Sequence, residues 1–293
     1  MKVASATRSG LRRYPRAIFD SVCKPFARGL LRHPHRLPEM AHLPLGAVWL
    51  GHASVFVRLA GVNILVDPVF SDRIGVTVGQ MTFGLPRLAP LPIDPAHLPP
   101  IDLILISHAH FDHLDRPTLQ GLASHSTTVV TARRTRRLIP SGFARIIELD
   151  WDHNLHFKGL DISAIQPAHW GARTAVDRRR GYNSYIVREK HDRQGVLLAG
   201  DTALTDAFED LEEVALAVLG IGAYEPWEHA HATPEQVWQM FTGSGAANLL
   251  PVHHSTFPLG DEHIDEPMER LLAAAGPERA KVIRAKQGDV WAA

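Results

Sequence analysis

The sequence predicts an α/β (α+β) fold built as a duplicated sandwich of strands with helices outside it, and three observations point there. Aliphatic runs such as Ile101 to Ile106, Gly195 to Ala199 and Ala247 to Val252 are too short for helices and end on turn residues, as buried strands do. The strands fall into two groups, each closing on a helical segment, which fits two packed sheets better than one doubly wound sheet. His and Asp residues follow directly on several of these runs, where layered α/β folds place their chemistry.

The elements read in order as follows. Residues 1–45 form a basic extension and residues 46–293 one domain, since no repeat or low-complexity stretch divides them. Residues 47–66 read as a pair of strands, the second ending at Asp67-Pro68, and the Pro-rich stretch 85–100 reads as an extended loop on the surface or over the site. A helix over Arg116 to Ala123 takes Asp115 as N-cap and Pro117 in its first turn. Strands follow near 127–131, 145–149, 160–166, 182–188 and 195–200. Thr233 and Gln236 have the spacing of a capping box for a helix reaching Phe241. A second late helix covers Glu266 to Ala275, and Lys281 to Ala285 reads as a last strand.

Composition narrows the class. The 293 residues are 45% hydrophobic and formally neutral overall. Residues 1–36 nevertheless hold nine Lys or Arg against Asp20 alone, a segment of +8 that leaves −8 on the remainder. Apolar residues interleave with these charges, so the segment is expected either to contact an anionic membrane or to lie packed or solvated beside the domain. Asp20, Lys24, Pro25 and Arg28 interrupt any secretory core there. Cys23 is the single cysteine and permits no intrachain disulfide. The longest apolar stretch, Val214 to Ala223, falls well short of the roughly 20 residues that span a bilayer. A cytoplasmic protein, peripheral on a membrane at most, is the expectation. The −8 body argues against a nucleic-acid partner.

The chemistry concentrates in His108-Ala109-His110-Phe111-Asp112-His113, directly after the run ending at Ile106. Imidazole nitrogen and carboxylate oxygen suit zinc and its divalent neighbours, whereas a solvated His-rich loop is the bland alternative in a chain with 18 His. A turn leaving a buried strand can aim His108 and His110 at one ion and Asp112 and His113 at a second, the pair arrangement of two-metal hydrolysis. Further ligands come from the ends of later strands: His169 after Gln166-Pro167-Ala168, Asp201 after Ala199-Gly200, and His253 after Pro251-Val252. With Asp201 shared, one ion takes His108, His110, His169 and Asp201, and the other takes Asp112, His113, His253 and Asp201. Two Zn²⁺ per chain are expected, although the same ligands accept iron or manganese.

This order of motifs resembles the metallo-β-lactamase superfamily. Gly51-His52-Ala53-Ser54, Leu65 to Ser71, Glu148 to Trp151, Gln166 to Trp170, Ala199 to Thr202, Ile221 to Pro226 and His253 to Phe257 narrow the resemblance to its N-acylphosphatidylethanolamine-hydrolysing phospholipase D branch. The resemblance implies a four-layer αββα sandwich and dinuclear cleavage of a phosphodiester, releasing an N-acylethanolamine and phosphatidic acid. It implies that Asp112 and Asp201 position the nucleophile, and that Asp67 orients the metal loop unless it merely caps a turn. His231 matches a histidine near the substrate head group that can act as general acid, or is a surface histidine at a helix start. Tyr224 lines the site through its hydroxyl or packs in the core. His52 and His254 are left without a ligand role. Ala230 stands where the animal enzymes carry Gln, and His254-Ser255 replaces a Trp-Gly pair, so selectivity for the head group is open. The competing readings are a lactone, thioester or nucleic-acid phosphodiester hydrolase of the same superfamily, and a metal-containing binding module.

Overall fold

The computed structural model describes residues 36–293 except 38, 80, 175, 176, 178 and 191–193. The expected membrane contact of residues 1–36 falls almost wholly outside them. The domain opens with an antiparallel meander of β1 (Leu45–Gly51), β2 (Ser54–Leu59) and β3 (Val62–Val66). A separate hairpin follows, β4 (Arg73–Val78) with β5 (Met81–Pro86). β6 (Leu103–Ile106), β7 (Thr128–Ala132) and β8 (Arg145–Leu149) then extend the meander from β3, all parallel. The second sheet holds β9 (Asn154–Phe157), β10 (Leu160–Ile165), β11 (Ser184–Glu189), β12 (Gly195–Leu198), β13 (Val214–Gly220) and β14 (Asn248–Val252) in reverse spatial order. The last strand, β15 (Val290–Ala292), returns to pair with β1. Among the described residues the α-helices are α1 (Arg116–Gly121), α2 (Pro234–Gly243) and α3 (Glu266–Ala275).

Alternation along the central strands explains the layering. Leu103 and Leu105 of β6 face the second sheet, while Ile104 and Ile106 turn outward onto Leu119 of α1. Val196 and Leu198 of β12 face the first sheet, and Leu197 turns onto Val237 and Phe241 of α2 and Leu271 of α3. Strands apolar on both faces fit only between two covered surfaces, so the order is helix, sheet, sheet, helix. Each fully buried aliphatic side chain in such a layer contributes roughly 1.5–3 kcal/mol. The αββα expectation is met.

Local chemistry sets the helix ends. The Thr233 hydroxyl accepts from Gln236 N while Gln236 Oε1 accepts from Thr233 N, the capping box read from the spacing. Asp115 occupies the N-cap position of α1, but its carboxylate accepts the hydroxyls of Ser71 and Thr118 instead of a helix N–H.

Three expectations need correction, and a fourth reading gains its place in the fold. The stretch 47–66 holds parts of three strands, because Gly51-His52-Ala53 and Ala60-Gly61 both turn the chain, with His52, Ala60 and Gly61 at positive φ. The final strand lies at Val290–Ala292; Lys281 to Ala285 manages one bridge, Val282 to Leu249, before leaving the sheet. The segment 85–100 does not cover the site, since Leu91 and Ile93 are buried in the outer layer of the first sheet, and the β4–β5 hairpin takes that place. The apolar stretch near Val214 is the inner strand β13.

Strand direction positions the chemistry. β1, β3 and β6 run the same way, as do β10, β12, β13 and β14. Residues just beyond their C-terminal ends, His52, Asp67, the 108–113 loop, His169, Asp201 and His253, therefore gather at one edge of the sandwich. Among the described residues no helix is long and apolar enough to cross a membrane.

Candidate metal centre

Two four-residue clusters of side chains meet at this edge, and a smaller group of Asp201, His231 and His253 overlaps them; within each the candidate ligand atoms lie within 4.8 Å of one another. The first contains His108, His110, His169 and Asp201. His110 Nδ1 lies 2.8 Å from His108 Nε2 and 3.4 Å from His169 Nε2, and both Nε2 atoms are 3.7 Å from Asp201 Oδ2. The second contains His52, Asp112, His113 and His253. Asp112 Oδ2 is 3.0 Å from His52 Nε2, 3.6 Å from His113 Nε2 and 3.4 Å from His253 Nε2. Asp201 lies between the clusters, its Oδ2 3.1 Å from His113 Nε2 and its Oδ1 3.2 Å from His253 Nε2.

The surroundings decide which ring nitrogens face the centre. His113 Nδ1 donates to Asp67 Oδ2 at 2.7 Å, and His169 Nδ1 donates to the Ala230 carbonyl at 3.0 Å. The Ser107 hydroxyl donates to Asp67 Oδ2 at 2.5 Å, so its oxygen is free to accept from His108 Nδ1 at 2.9 Å. Ser107 N anchors the other carboxylate oxygen of Asp67 at 2.7 Å. Each outer contact holds a proton on Nδ1, so Nε2 is the nitrogen turned inward toward the cluster. Gly200 is required beside it: at φ +61 its position for a Cβ falls 2.8 Å from the Ser107 Cβ, so only glycine lets Asp201 enter.

This donor set fits divalent cations. His110 Nδ1 can give a proton to only one of the two lone pairs facing it, whereas a cation satisfies all three nitrogens. His113 Nε2 and both ring nitrogens of His253 are buried without a hydrogen bond, although Nε2 of each approaches carboxylate oxygens. Such convergence of buried acceptors and unpartnered nitrogens is what a metal ion resolves.

Charge follows the same geometry. Burial pushes His108 well below the ordinary imidazole range, reinforced by His113, His110 and His169, and burial likewise lowers His169. Both are neutral, the form that ligates. Burial also opposes charge on His113 and His253, but Asp201 and Asp112 prevail, holding His113 well above the usual range and His253 up at about 9. Asp112 and Asp201 stay well below the usual carboxylate range despite burial, with His113 the largest opposing influence on each.

The other candidates separate. His231 reaches the cluster, with Nδ1 3.9 Å from Asp201 Oδ2, and burial lowers it to about 4. Tyr224 does not line the site: its hydroxyl donates to Glu266 Oε1 at 2.7 Å and the Arg270 guanidinium covers its ring, because α3 packs over it. His254 stacks on Trp49 at 4.7 Å and bonds to Ser255, outside both clusters. His52, left unassigned from sequence, joins the second cluster through Asp112, and its carbonyl accepts from His253 N at 2.9 Å.

A cavity of about 550 Å³ opens directly on His110, Asp112, Asp201 and His231. Its walls are mostly apolar, with Ile74, Phe83 and Leu85 from the hairpin facing Phe111, Trp170 and Trp227. Arg173 is the cation in that wall, and sequence reasoning missed it. Its guanidinium lies 4.0 Å above the Phe111 ring, and Nη1 donates to the carbonyls of Ala109 and Leu114 at 2.9 Å each, bracing both ends of the metal loop. Burial lowers it to about 10, which leaves it charged at neutral pH.

A family model described as the beta-lactamase superfamily domain matches residues 62–254, from β3 to just past His253. An uncharacterized protein of Mycobacterium tuberculosis is 33% identical over 257 residues, 81% of this chain and 66% of that protein. The N-acyl-phosphatidylethanolamine-hydrolyzing phospholipase D, mitochondrial, of Saccharomyces cerevisiae is 30% identical over 248 residues, 80% of this chain and 52% of that protein. This chain thus spans between half and two thirds of the length of these relatives. Among solved structures, a possible metal-dependent hydrolase from Veillonella parvula superposes with a TM-score of 0.69 at 14% identity, over 86% of this chain and 100% of that one, and so shares the fold. With the fold, the strand-end cluster and the matched segment in agreement, the chain belongs to the metallo-β-lactamase superfamily.

Proposed function

We propose that this protein is a metal-dependent hydrolase that cleaves the phosphodiester of a phospholipid in a phospholipase D-type reaction, with N-acylphosphatidylethanolamine or a close relative as substrate. One observation carries the reading: the only polar surfaces where the cavity meets the clusters are ligand-type side chains, and the remaining wall is apolar apart from Arg173. A substrate with an anionic centre and long apolar arms matches that distribution. The similarity to the yeast phospholipase D supports the bond that is cut.

In this reading one cation is held by His108, His110, His169 and Asp201, and a second by Asp112, His113, His253 and Asp201, with His52 donating to Asp112. Zinc suits the set, and iron or manganese are accommodated by the same donors. Bound there, divalent cations supply a water that is acidic near neutral pH and neutralise charge developing on phosphoryl oxygens. The protein does the rest. Asp112 and Asp201 orient the attacking water, and the Arg173 guanidinium, bonded to the Ala109 and Leu114 carbonyls, faces the phosphodiester charge. His231, neutral at pH 7, offers an N–H toward the leaving oxygen. Aromatic walls at Phe111, Trp170 and Trp227 hold the acyl arms and exclude water from the reacting phosphorus. Water adds to phosphorus, the bond from phosphorus to the ethanolamine oxygen breaks, and that oxygen leaves protonated as N-acylethanolamine while phosphatidic acid remains.

A panel of bis-p-nitrophenyl phosphate, N-acylphosphatidylethanolamine, a lactone, a thioester and a tRNA precursor tests this, each with metal added and with chelator. The expected result is metal-dependent release of N-acylethanolamine and phosphatidic acid. Turnover of the lactone or thioester alone rejects a phosphodiesterase, and no metal-dependent turnover at all favours a binding module.

A further inference from the structure

The β4–β5 hairpin is an amphipathic ribbon whose apolar face runs out beyond the cavity. Ile74, Val76 and Val78 alternate along β4 and stand opposite Leu85, Phe83 and Met81 of β5, so all six share one face. The other face pairs Thr77 with Thr82, whose hydroxyls bond at 3.0 Å, and Gly75 with Gly84. At its base the apolar face is buried as cavity wall, through Ile74 and Leu85. Toward the tip it lies open, with Val76 56%, Val78 65% and Met81 42% exposed. Trp170, across the same cavity, is 41% exposed. A continuous ladder of large apolar side chains left in water is unusual for a surface without a partner.

An arginine collar gathers around Arg173 of the same cavity wall. Arg173 shares the cavity wall with Val76 and Phe83, and Arg116 and Arg180 lie close enough to act on its charge. Arg180 donates to the Arg134 carbonyl, and Gly181 N donates to the Arg133 carbonyl at 2.8 Å, so the loops at 133–134 and 173–181 are joined. Asp177 answers Arg180 at 2.5 Å, Asp150 answers Arg133 at 3.8 Å, and Asp115 and Asp112 act on Arg173. The collar stays basic on a body whose formal charge beyond residue 36 is −8.

We propose that this rim docks on an anionic lipid surface, the hairpin tip entering the headgroup layer while the arginine collar meets lipid phosphates. An apolar wedge beside interfacial Trp and ringed by Arg is the composition that binding to such surfaces needs. Docked this way, the apolar hairpin face forms a continuous path from the bilayer to the metal clusters, and a lipid's arms stay covered as its head group reaches Arg173. The inference rests on the lipid-substrate reading of the cavity, but its test reads membrane binding and not turnover.

Flotation of the full chain with vesicles of phosphatidylcholine alone, or of phosphatidylcholine mixed with phosphatidylglycerol, tests it. Wild-type protein is expected to float with the mixed vesicles. A Val78→Asp/Met81→Asp variant and an Arg116→Glu/Arg134→Glu variant are expected to partition at least about tenfold more weakly. Both should hydrolyse the water-soluble bis-p-nitrophenyl phosphate like wild type, which shows that they fold. Unchanged flotation of the Val78/Met81 variant overturns the proposal, because the N-terminal arm then suffices. Equal flotation on neutral vesicles overturns it too. So does a fall from dimer to monomer in sedimentation with no change in flotation, since a second copy then covers the ribbon. Vesicle binding that depends on these residues in a protein with no phosphodiesterase activity upholds the docking face and rejects the proposed reaction.

Discussion

Asp67→Asn tests whether the metal loop is oriented from outside the cluster. In the wild-type protein Asp67 Oδ1 accepts from Ser107 N at 2.7 Å, and Oδ2 accepts from the Ser107 hydroxyl at 2.5 Å and from His113 Nδ1 at 2.7 Å. Asparagine has nearly the same shape and can keep its oxygen on Ser107 N. Its amide nitrogen then replaces Oδ2 and can only donate. The serine oxygen can turn to accept, but His113 can keep the contact only by moving its proton from Nδ1 to Nε2. That step preserves the fold and fixes the neutral ring's proton on Nε2, the nitrogen 3.1 Å from Asp201 that would ligate. The serine hydroxyl no longer has Asp67 as acceptor, so the same change loosens the contact that sets the His108 tautomer.

The magnitude follows from this switch. Losing an outer-shell partner of a ligating histidine typically costs 10–100-fold in metal affinity, roughly 1.4–2.7 kcal/mol, and the second affected ligand places the expectation toward the upper end. Thermal stability of the metal-free protein should change by much less than in Asp67→Ala, which strands three donors in a buried site. Metal affinity measured by competition with a chromophoric chelator, alongside metal-free melting curves, separates the two effects. Wild-type affinity in Asp67→Asn, with the fold intact, would refute the reasoning.

Other perturbations probe neighbouring parts of the same argument. Asp201→Ala should remove the carboxylate shared by both clusters and most of the bound metal with it; two ions per chain retained in that variant defeats the ligand assignment. His253 is protonated below about pH 9 in the metal-free protein and His113 is also held well above the ordinary imidazole range, so loading should release close to two protons per chain near pH 7. Affinity should then rise with pH toward that value, and calorimetry in buffers of different ionisation enthalpy reads the proton count directly. Tyr224→Phe should lose about 0.5–1.5 kcal/mol of stability with metal-dependent turnover unchanged, as expected of a hydroxyl bonded to Glu266; a large fall in turnover at constant stability would return Tyr224 to the site.

Much of the site was legible because its residues follow strands. The 108–113 loop, His169, Asp201 and His253 each come directly after an aliphatic run, and common strand direction turns that sequence regularity into proximity. His52 obeys the same rule at the end of β1, yet one histidine between two strands has no local pattern to mark it as a partner of Asp112. Arg173 was invisible for a different reason. Its function depends on carbonyls at 109 and 114, about sixty residues earlier, and on a ring at Phe111. The hairpin has a readable pattern, since Ile74, Val76 and Val78 alternate strictly, but Gly75, Gly79 and Gly84 are weak strand formers that mask it. Tyr224 was misplaced because its direction is set by Glu266, 42 residues later.

The cluster's charge explains why an edge this polar can stay buried. Asp67, Asp112 and Asp201 bring three carboxylates into a region where each is at most part-exposed, and an uncompensated buried carboxylate costs several kcal/mol. Neutral His108, His110 and His169 offer lone pairs and no charge, so they add to the negative potential and do not relieve it. Without a cation, only protons on His113 and His253 can balance the carboxylates, which is why those two imidazoles alone are held up while their neighbours are pushed down. Two divalent cations would overcompensate three carboxylates by one charge, and that surplus lies at the floor of an otherwise apolar cavity with Arg173 in its wall. On the proposed function, a site so charged would select for an anion, and the wall for an anion that carries hydrocarbon. Of the readings open from sequence, a neutral lactone or thioester draws nothing from the surplus charge, and a nucleic acid draws nothing from the apolar wall. A phospholipid phosphodiester uses both, and the exposed continuation of the same wall along β4 and β5 is where its bilayer would lie.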